Sequence, residues 1–423
     1  MIRTRRGDTV TLRIDDNEAL DLVIRGGRVF DPGSGLDDRL DIGVRYGRIA
    51  AVEPDLSARI AERRMQMPLD LGTAVIDATG MIVAPGFIDL HTHVYVGVCG
   101  LTVPADETSA TTGVTTCVSA GDAGANTIEG FRRLAVEASR TRVLAFLHVS
   151  NVGLAPWPAG ESTNLDMLDV GAGIRAARQN QDIVVGVKVR MTQPQVIGDH
   201  DLEPLRRAVA IAEGAGTRVI MHIGFCPRPI GELLALLRPG DIVTHCFTGS
   251  ENTLVEDGRL GRGVHEARAR GILFDIGHGS GSFSYRTADV AIAEGFWPDT
   301  ISTDIHSLSA NGPVYDLPTT MSKFLALGMP IGDVVQAVTA RPARAIGRES
   351  TLGAIQVGRT ADLAVFSVEE GRFTFRDSGA QLSGAGTERI GTSRIRVHHT
   401  IRAGVPWGSP WPHPGRGVGL APD

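Results

Sequence analysis

The chain has 423 residues, 42% hydrophobic and 21% charged, with a formal net charge of −6. Its length exceeds one ordinary core and asks for a large domain with a smaller one beside it. The mild negative charge, with no basic stripe, excludes a nucleic-acid partner, and no run of apolar residues is long enough to span a membrane. Residues 10–80 read as short strands separated by glycine and proline: Leu20–Arg25, Arg28–Phe30, Leu40–Val44 and Arg48–Val52. Helical periodicity is nearly absent there, apart from an ambiguous segment near Leu56–Met65.

The pattern changes at Met81. Apolar runs at Ile82–Leu90, Val114–Ser119, Val143–Val149, Ile183–Val189, Val219–Ile223, Ile242–Phe247, Ile272–Ile276 and Thr300–Thr303 read as strands. Helix-like stretches lie between several of them, at Ile128–Arg140, Ala172–Arg178, Asp201–Glu213 and Ile230–Leu237. Continuous apolar runs suit parallel strands covered on both faces. Eight of them predict an α/β chain, a (β/α)8 TIM barrel over residues 85–345. A doubly wound sheet is disfavoured, because no Gly-rich phosphate loop follows the first strand. Past Ala345 the strand signature returns, at Leu352–Ile355, Ala361–Phe366, Ile395–Val397 and Thr400–Ala403, before an irregular tail from Gly404. One small β-sandwich built from both termini, residues 1–84 and 346–423, is the economical reading. There is no internal repeat.

The chemistry centres on Pro85-Gly86-Phe87-Ile88-Asp89-Leu90-His91-Thr92-His93. Alternate residues of a strand share a face, so His91 and His93 point the same way at a strand end and can grip one metal ion. Active groups of such a barrel sit at the C-terminal ends of its strands. There the later strands bring Lys188, His222, His245 and Asp304. Lys188 stands in an apolar run. It is either a structural lysine paired with an acid or a neutral amine able to form a carbamate, which can bridge two cations.

Pro85–His93 resembles the first-strand signature of the amidohydrolase superfamily. The entering strands and the Gly358-Arg359-Thr360-Ala361-Asp362-Leu363 close resemble its flanking β-sandwich. Gly186–Arg190, His222-Ile223-Gly224, His245–Gly249, Asp275–Gly279 and Ile301–His306 are similar to a dihydroorotase-like branch that includes deacetylases. Gly224-Phe225-Cys226-Pro227 departs from that pattern and reshapes the pocket. The resemblance implies that His91 and His93 hold one divalent ion with Asp304. His222 and His245 would hold a second, bridged by N6-carboxylysine at position 188. Zinc suits these ligands, as do manganese, iron and cobalt.

The implied activity is removal of the acyl group from a small acylated amino acid or 2-hydroxy acid. A cyclic amide hydrolase of dihydroorotase or hydantoinase type is the alternative. A deaminase needs one metal and no Lys188, and a metal-free scaffold would have no use for six ligand candidates. Two cations would share one water and lower its pKa, and Asp304 would carry its proton to the leaving group. Arg190 shares the parity of Lys188 and either forks onto an anionic substrate's carboxylate or pairs with a nearby acid. His278, Asn151, Ser282 and Tyr95 are the further substrate-binding candidates. His148 reads as packed behind the site, and His306 as orienting Asp304 or capping its strand. His200, His265, His398, His399 and His413 read as surface residues. Cys99, Cys117, Cys226 and Cys246 form no Cys-x-x-Cys pair, and no apolar run follows the arginines of Met1–Asp8. Both features suit a cytoplasmic protein with reduced thiols. Association into a homo-oligomer through the barrel surface is the remaining expectation.

Overall fold

The computed structural model describes residues 2–3, 9–10, 20–60, 73–251, 254–379 and 386–407. Seven strands form one parallel sheet in chain order: β1 (Phe87–Thr92), β2 (Val114–Ala120), β3 (Arg142–His148), β4 (Val184–Met191), β5 (Val219–Ile223), β6 (Ile242–Thr244) and β7 (Leu273–Phe274). Every residue of β1 and β2 is buried, which is why neither strand shows the alternation of a half-exposed one. The sheet curls until residues 300–305 bridge both its edges, Thr300 to Asp275 and Ile305 to Thr92.

Two strands expected in the barrel differ from their sequence reading. Thr300–Thr303 forms single bridges rather than a ladder. Its side chains do much of the tying: Thr300 Oγ1 and Ser302 Oγ donate to Asp275, and Thr303 Oγ1 donates to Asp89 at 2.6 Å. Ile82–Leu90 is two strands in two sheets. Ile82–Pro85 pairs outside the parallel sheet, and the chain turns into β1 at Gly86. A Cβ at Gly86 would lie 2.3 Å from Thr115 Oγ1, so only glycine fits that crossing.

Helices cover the outer face. Glu203–Ala215 buries Leu205, Ala208, Ile211 and Ala212, the i, i+3, i+4 stripe of an amphipathic helix, and ends at Gly216 with φ 69°. Val170–Gln179 starts earlier than expected because Asp169 caps it, accepting from Ala172 N at 3.0 Å. The helix expected over Ile128–Arg140 is α-helical only to Phe131, then passes into a wider turn over Arg132–Val136.

Eight further strands join the two ends of the chain in one sheet. Leu22–Asp31, Leu36–Arg45, Arg48–Glu53, Ala74–Asp77 and Ile82–Pro85 come from one side, and Leu363–Arg376, Glu388–Arg402 and Val405–Trp407 from the other. Ile82–Pro85 is the seam, parallel to Arg28–Val29 and antiparallel to Leu363–Phe366. Leu22, Ile24, Val29 and Val83 share one apolar cluster with Leu363, Val365 and Ile401. The expected strand Leu352–Ile355 is turn-like, whereas Ile395–Val397 and Thr400–Arg402 belong to one long strand. The end of Leu56–Met65, most of the tail from Gly404, and His413 lie outside the described residues.

Candidate metal centre

His91 and His93 end β1, Lys188 sits in β4, His222 in β5, and His245 directly follows β6. Asp304 lies on the segment bridging β7 and β1, and its amide donates to His91 O at 2.7 Å. Asp304 and His245 adopt φ 49° and 67°, an uncommon backbone for residues other than glycine and one that here turns both side chains off the strand ends.

The structure brings the six expected ligands together. His91 Nε2 stands 3.1 Å from Lys188 Nζ and 3.3 Å from Asp304 Oδ1, and His93 Nε2 stands 3.0 Å from the same oxygen. The rings of His222 and His245 are 4.2 Å apart, and those of His91 and His245 4.9 Å. One potential ligand atom each from His91, His245 and Asp304 all fall within 4.8 Å of one another.

The outward nitrogens fix the tautomers. His93 Nδ1 meets Asp122 Oδ1 at 2.5 Å, and His245 Nδ1 donates to Gly277 O at 2.6 Å. His91 Nδ1 donates to Thr244 Oγ1 at 2.8 Å, because that hydroxyl's own proton goes to Asp275 Oδ2. All three imidazoles therefore turn Nε2 inward, the arrangement in which an outer partner orients a metal-binding histidine. His245 Nε2 is buried and without a hydrogen-bond partner among the described residues. A lone pair left so is costly, and a divalent ion of the zinc kind fits it.

Electrostatics agree for every group of the cluster but His93. Burial lowers Lys188 to about 7, so its amine is substantially neutral at physiological pH. Burial lowers His245 to about 4 and takes His91 and His222 well below their ordinary value, leaving neutral rings able to donate a lone pair. Burial opposes the charge on His93, but Asp122 overrides it and raises the ring to about 9. Burial would raise Asp304, yet His91 and His93 hold it well below the usual carboxylate range.

A cavity of about 260 Å³ opens onto His93, Lys188, His222 and Asp304. Arg190, Ser282 and His306 line it. Arg190 Nη1 is also 3.2 Å from Glu161 Oε1, so it both pairs with an acid and faces the cavity. The other three substrate candidates are not on its wall. Tyr95 is buried, its hydroxyl donating to Thr127 O while its ring packs edge-on against Phe131. His278 is fully buried on Lys323 Nζ at 2.7 Å. Asn151 is half-buried behind the β3 end, its amide donating to Met167 O. His148 is packed as expected, with Nε2 3.4 Å from Glu161 Oε1. His306 Nδ1 accepts from Leu308 N at 3.2 Å. His265 is exposed, and His200, His398 and His399 are half-buried at the surface. All four cysteines are free and buried.

Sequence reasoning missed Asp122, Glu161, Asp275 and Lys323. Asp122 was within reach of it: a carboxylate two residues past the end of β2 stands where a strand-end group belongs. Glu161 lies in the long β3–β4 connection, where no period marks it.

This fold and this cluster define a hydrolase of the amidohydrolase family: residues 74–194 and 242–386 both match that family. Deacetylase Atu3266 of Agrobacterium fabrum is 38% identical over 339 residues, 80% of each chain. A deacetylase of Enterococcus faecalis is 32% identical over 388 residues, 91% of this chain and 98% of its own. Among solved structures, an adenine deaminase superposes with a TM-score of 0.81 and a dihydroorotase with 0.80. Each is 31% identical and spans 92% of this chain, with 100% and 97% of their own chains covered. The chain belongs to the amidohydrolase family.

Proposed function

We propose that the chain is a two-metal deacetylase, cleaving the amide or ester of a small acylated amino acid or 2-hydroxy acid. The observation that carries this reading is the convergence of His91, His93, Lys188, His222, His245 and Asp304 beside one cavity. The two relatives named deacetylases support the acetyl part. The reading takes the curled sheet as a closed eightfold barrel over residues 85–345, flanked by the sheet from both termini. The buried free cysteines suit a reducing cytoplasm.

His91, His93 and Asp304 would hold one divalent ion, most simply zinc, and His222 and His245 the other. Lys188 would bridge them: its neutral Nζ adds carbon dioxide, releases a proton and becomes a carbamate. Such ions, when bound, supply Lewis acidity and lower the pKa of water. Asp304 Oδ1 faces His91 and His93, which leaves Oδ2 to take the proton of the attacking water and return it to the leaving group. Asp122 keeps His93 in register, and Arg190, partly balanced by Glu161, turns its guanidinium to the substrate's anionic end.

A cyclic amide hydrolase is the second reading, supported by the dihydroorotase likeness. The test is a hydrolysis panel on zinc-loaded and chelated protein. It sets N-acetyl amino acids and O-acetyl 2-hydroxy acids of both hands against dihydroorotate, hydantoins and adenine. Metal-dependent acetate release supports the deacetylase. Ring opening moves the protein to the second reading, and ammonia release from adenine overturns both.

A further inference from the structure

One wall of the cavity is the loop 277–284, whose Ser280, Gly281 and Ser282 line the space. The loop belongs to neither sheet ladder, and its fixed shape comes from groups far away in sequence. On its inner side Gly279 N donates to Thr303 O at 2.8 Å, and a Cβ on Gly279 would lie 2.4 Å from Asp304 Oδ2. The loop backbone therefore abuts the carboxylate at the centre of the site.

On its outer side two elements hold it. The first is the C-terminal hairpin, in which Leu363–Arg376 pairs with Glu388–Arg402. Just past the first of these strands, Ser378 N donates to Phe283 O at 3.0 Å and Ser378 Oγ accepts from Phe283 N at 2.9 Å. The same hydroxyl lies 3.2 Å from His278 O. Asp377 Oδ2 accepts from Tyr285 N at 3.0 Å. The second is the helix Leu317–Ala326, where Lys323 Nζ donates to His278 Nε2 and to Pro313 O, both at 2.7 Å. The His278 ring stacks on Phe283 with centroids 4.7 Å apart. Ser378, Asp377, Lys323 and His278 are all buried. Water is not there to replace a lost bond, so each bond counts for more than it would at the surface.

We propose that Asp377 and Ser378, with Lys323 acting through His278, are positioning residues for the substrate. They hold the loop from outside so that Ser280–Ser282 stand at a set distance from Asp304. The sheet built from both termini thus reaches past its own core to shape the pocket. This rests on the reading of the cavity as the substrate site.

The test compares Ser378→Ala, Asp377→Asn and Lys323→Met with wild type in the full chain. Arg376→Ala serves as control, since its partner Glu388 is exposed and neither touches the loop. Backbone hydrogen exchange, bound metal per chain and steady-state kinetics are the readouts. Exchange at 278–284 is expected to rise about tenfold or more in the variants, the scale of one lost buried hydrogen bond. β1 and β4 stay protected and metal content is unchanged. KM for the substrate the wild type hydrolyses rises by a similar factor, while kcat changes by less than about threefold. Unchanged loop exchange overturns the proposal, as does a rise spread evenly over the chain or a loosened loop with unaltered KM. Should Ser378→Ala not fold, Asp377→Asn and Lys323→Met decide alone. A wild type silent on every substrate would sink the functional reading, and the exchange data would still judge the clamp.

Discussion

At the scale of single residues the site is a set of buried nitrogen donors around one carboxylate, with His91, His93 and His245 each aimed by a partner behind it. Lys188 is the residue whose chemistry depends most on burial. Lys188→Met keeps the apolar stem and removes the amine. On the two-metal reading it should reduce bound metal from two ions per chain to one or fewer and lower kcat/KM at least about a hundredfold. Elemental analysis with the kinetics checks it, and a variant that keeps two ions and its rate would refute the bridging role. Glu161 gives a prediction with a sign in pH. Burial raises its pKa, but Arg190 and His148 outweigh that and bring it from 4.5 to about 2. A carboxylate lowered on folding contributes stability above its unfolded pKa and loses it as pH falls through the folded value. Wild type should therefore exceed Glu161→Gln by about 3 kcal/mol in denaturant melts near neutrality. The margin should shrink between pH 4.5 and 2, and a margin constant to pH 2.5 would show that charge pairing is not its source.

The ligand candidates were legible in the sequence because strand parity and strand ends leave few positions for polar groups. His91 and His93, one residue apart, announce a shared face without any structure. Tyr95 and His278 misled for the opposite reason. Each lies near a strand end in sequence, but whether a loop side chain turns inward or packs away is decided by partners such as Thr127 and Lys323, distant in the chain. Asp275 gave no warning of its role, since its hub of Thr244, Thr300 and Ser302 exists only once three strands are adjacent.

At the scale of elements, apolar runs marked where strands lie but not which sheet they join. Ile82–Leu90 is one run in sequence and two strands in space, because Pro85 lacks an amide donor and Gly86 lets Thr115 approach. The run at Thr300–Thr303 is polar enough to bond through its hydroxyls instead of a ladder. Between strands, tight turns set the room left for site residues. Gly121, just past β2, has φ +95°, and a Cβ there would lie 2.6 Å from Lys188 Cγ and 2.8 Å from His148 Cδ2. Gly121→Ala should cost about 1–3 kcal/mol from backbone strain and overpacking. It should also displace Lys188 and lower metal content. Thermal melts with metal analysis test both, and an alanine variant with wild-type stability and full metal would mean the turn yields freely.

At the scale of the whole molecule the question is how far the cluster bears on folding itself. The packing around Asp304 leaves His245 Nε2 without a partner among the described residues, a cost the fold carries unless an ion fills the space. The six side chains come from five segments spread over residues 91–304, so metal held by this cluster binds only the folded sheet. Ligand bound to the folded state alone stabilises it by RT ln(1 + [L]/Kd), about 4 kcal/mol when free metal stands a thousandfold above Kd. Removing metal with a chelator should therefore lower Tm by several degrees, and zinc should restore it. The same titration on His245→Ala should show a smaller recovery, because that variant lacks the inward Nε2. Hydrogen exchange would place the loss in β1, β4, β5 and the 300–305 segment before the sheet of the two termini, whose seam Ile82–Pro85 carries none of the six. Identical melting of chelated and zinc-loaded protein, with zinc bound stoichiometrically, would mean that the metal sits elsewhere and that the cluster is held by its own hydrogen bonds.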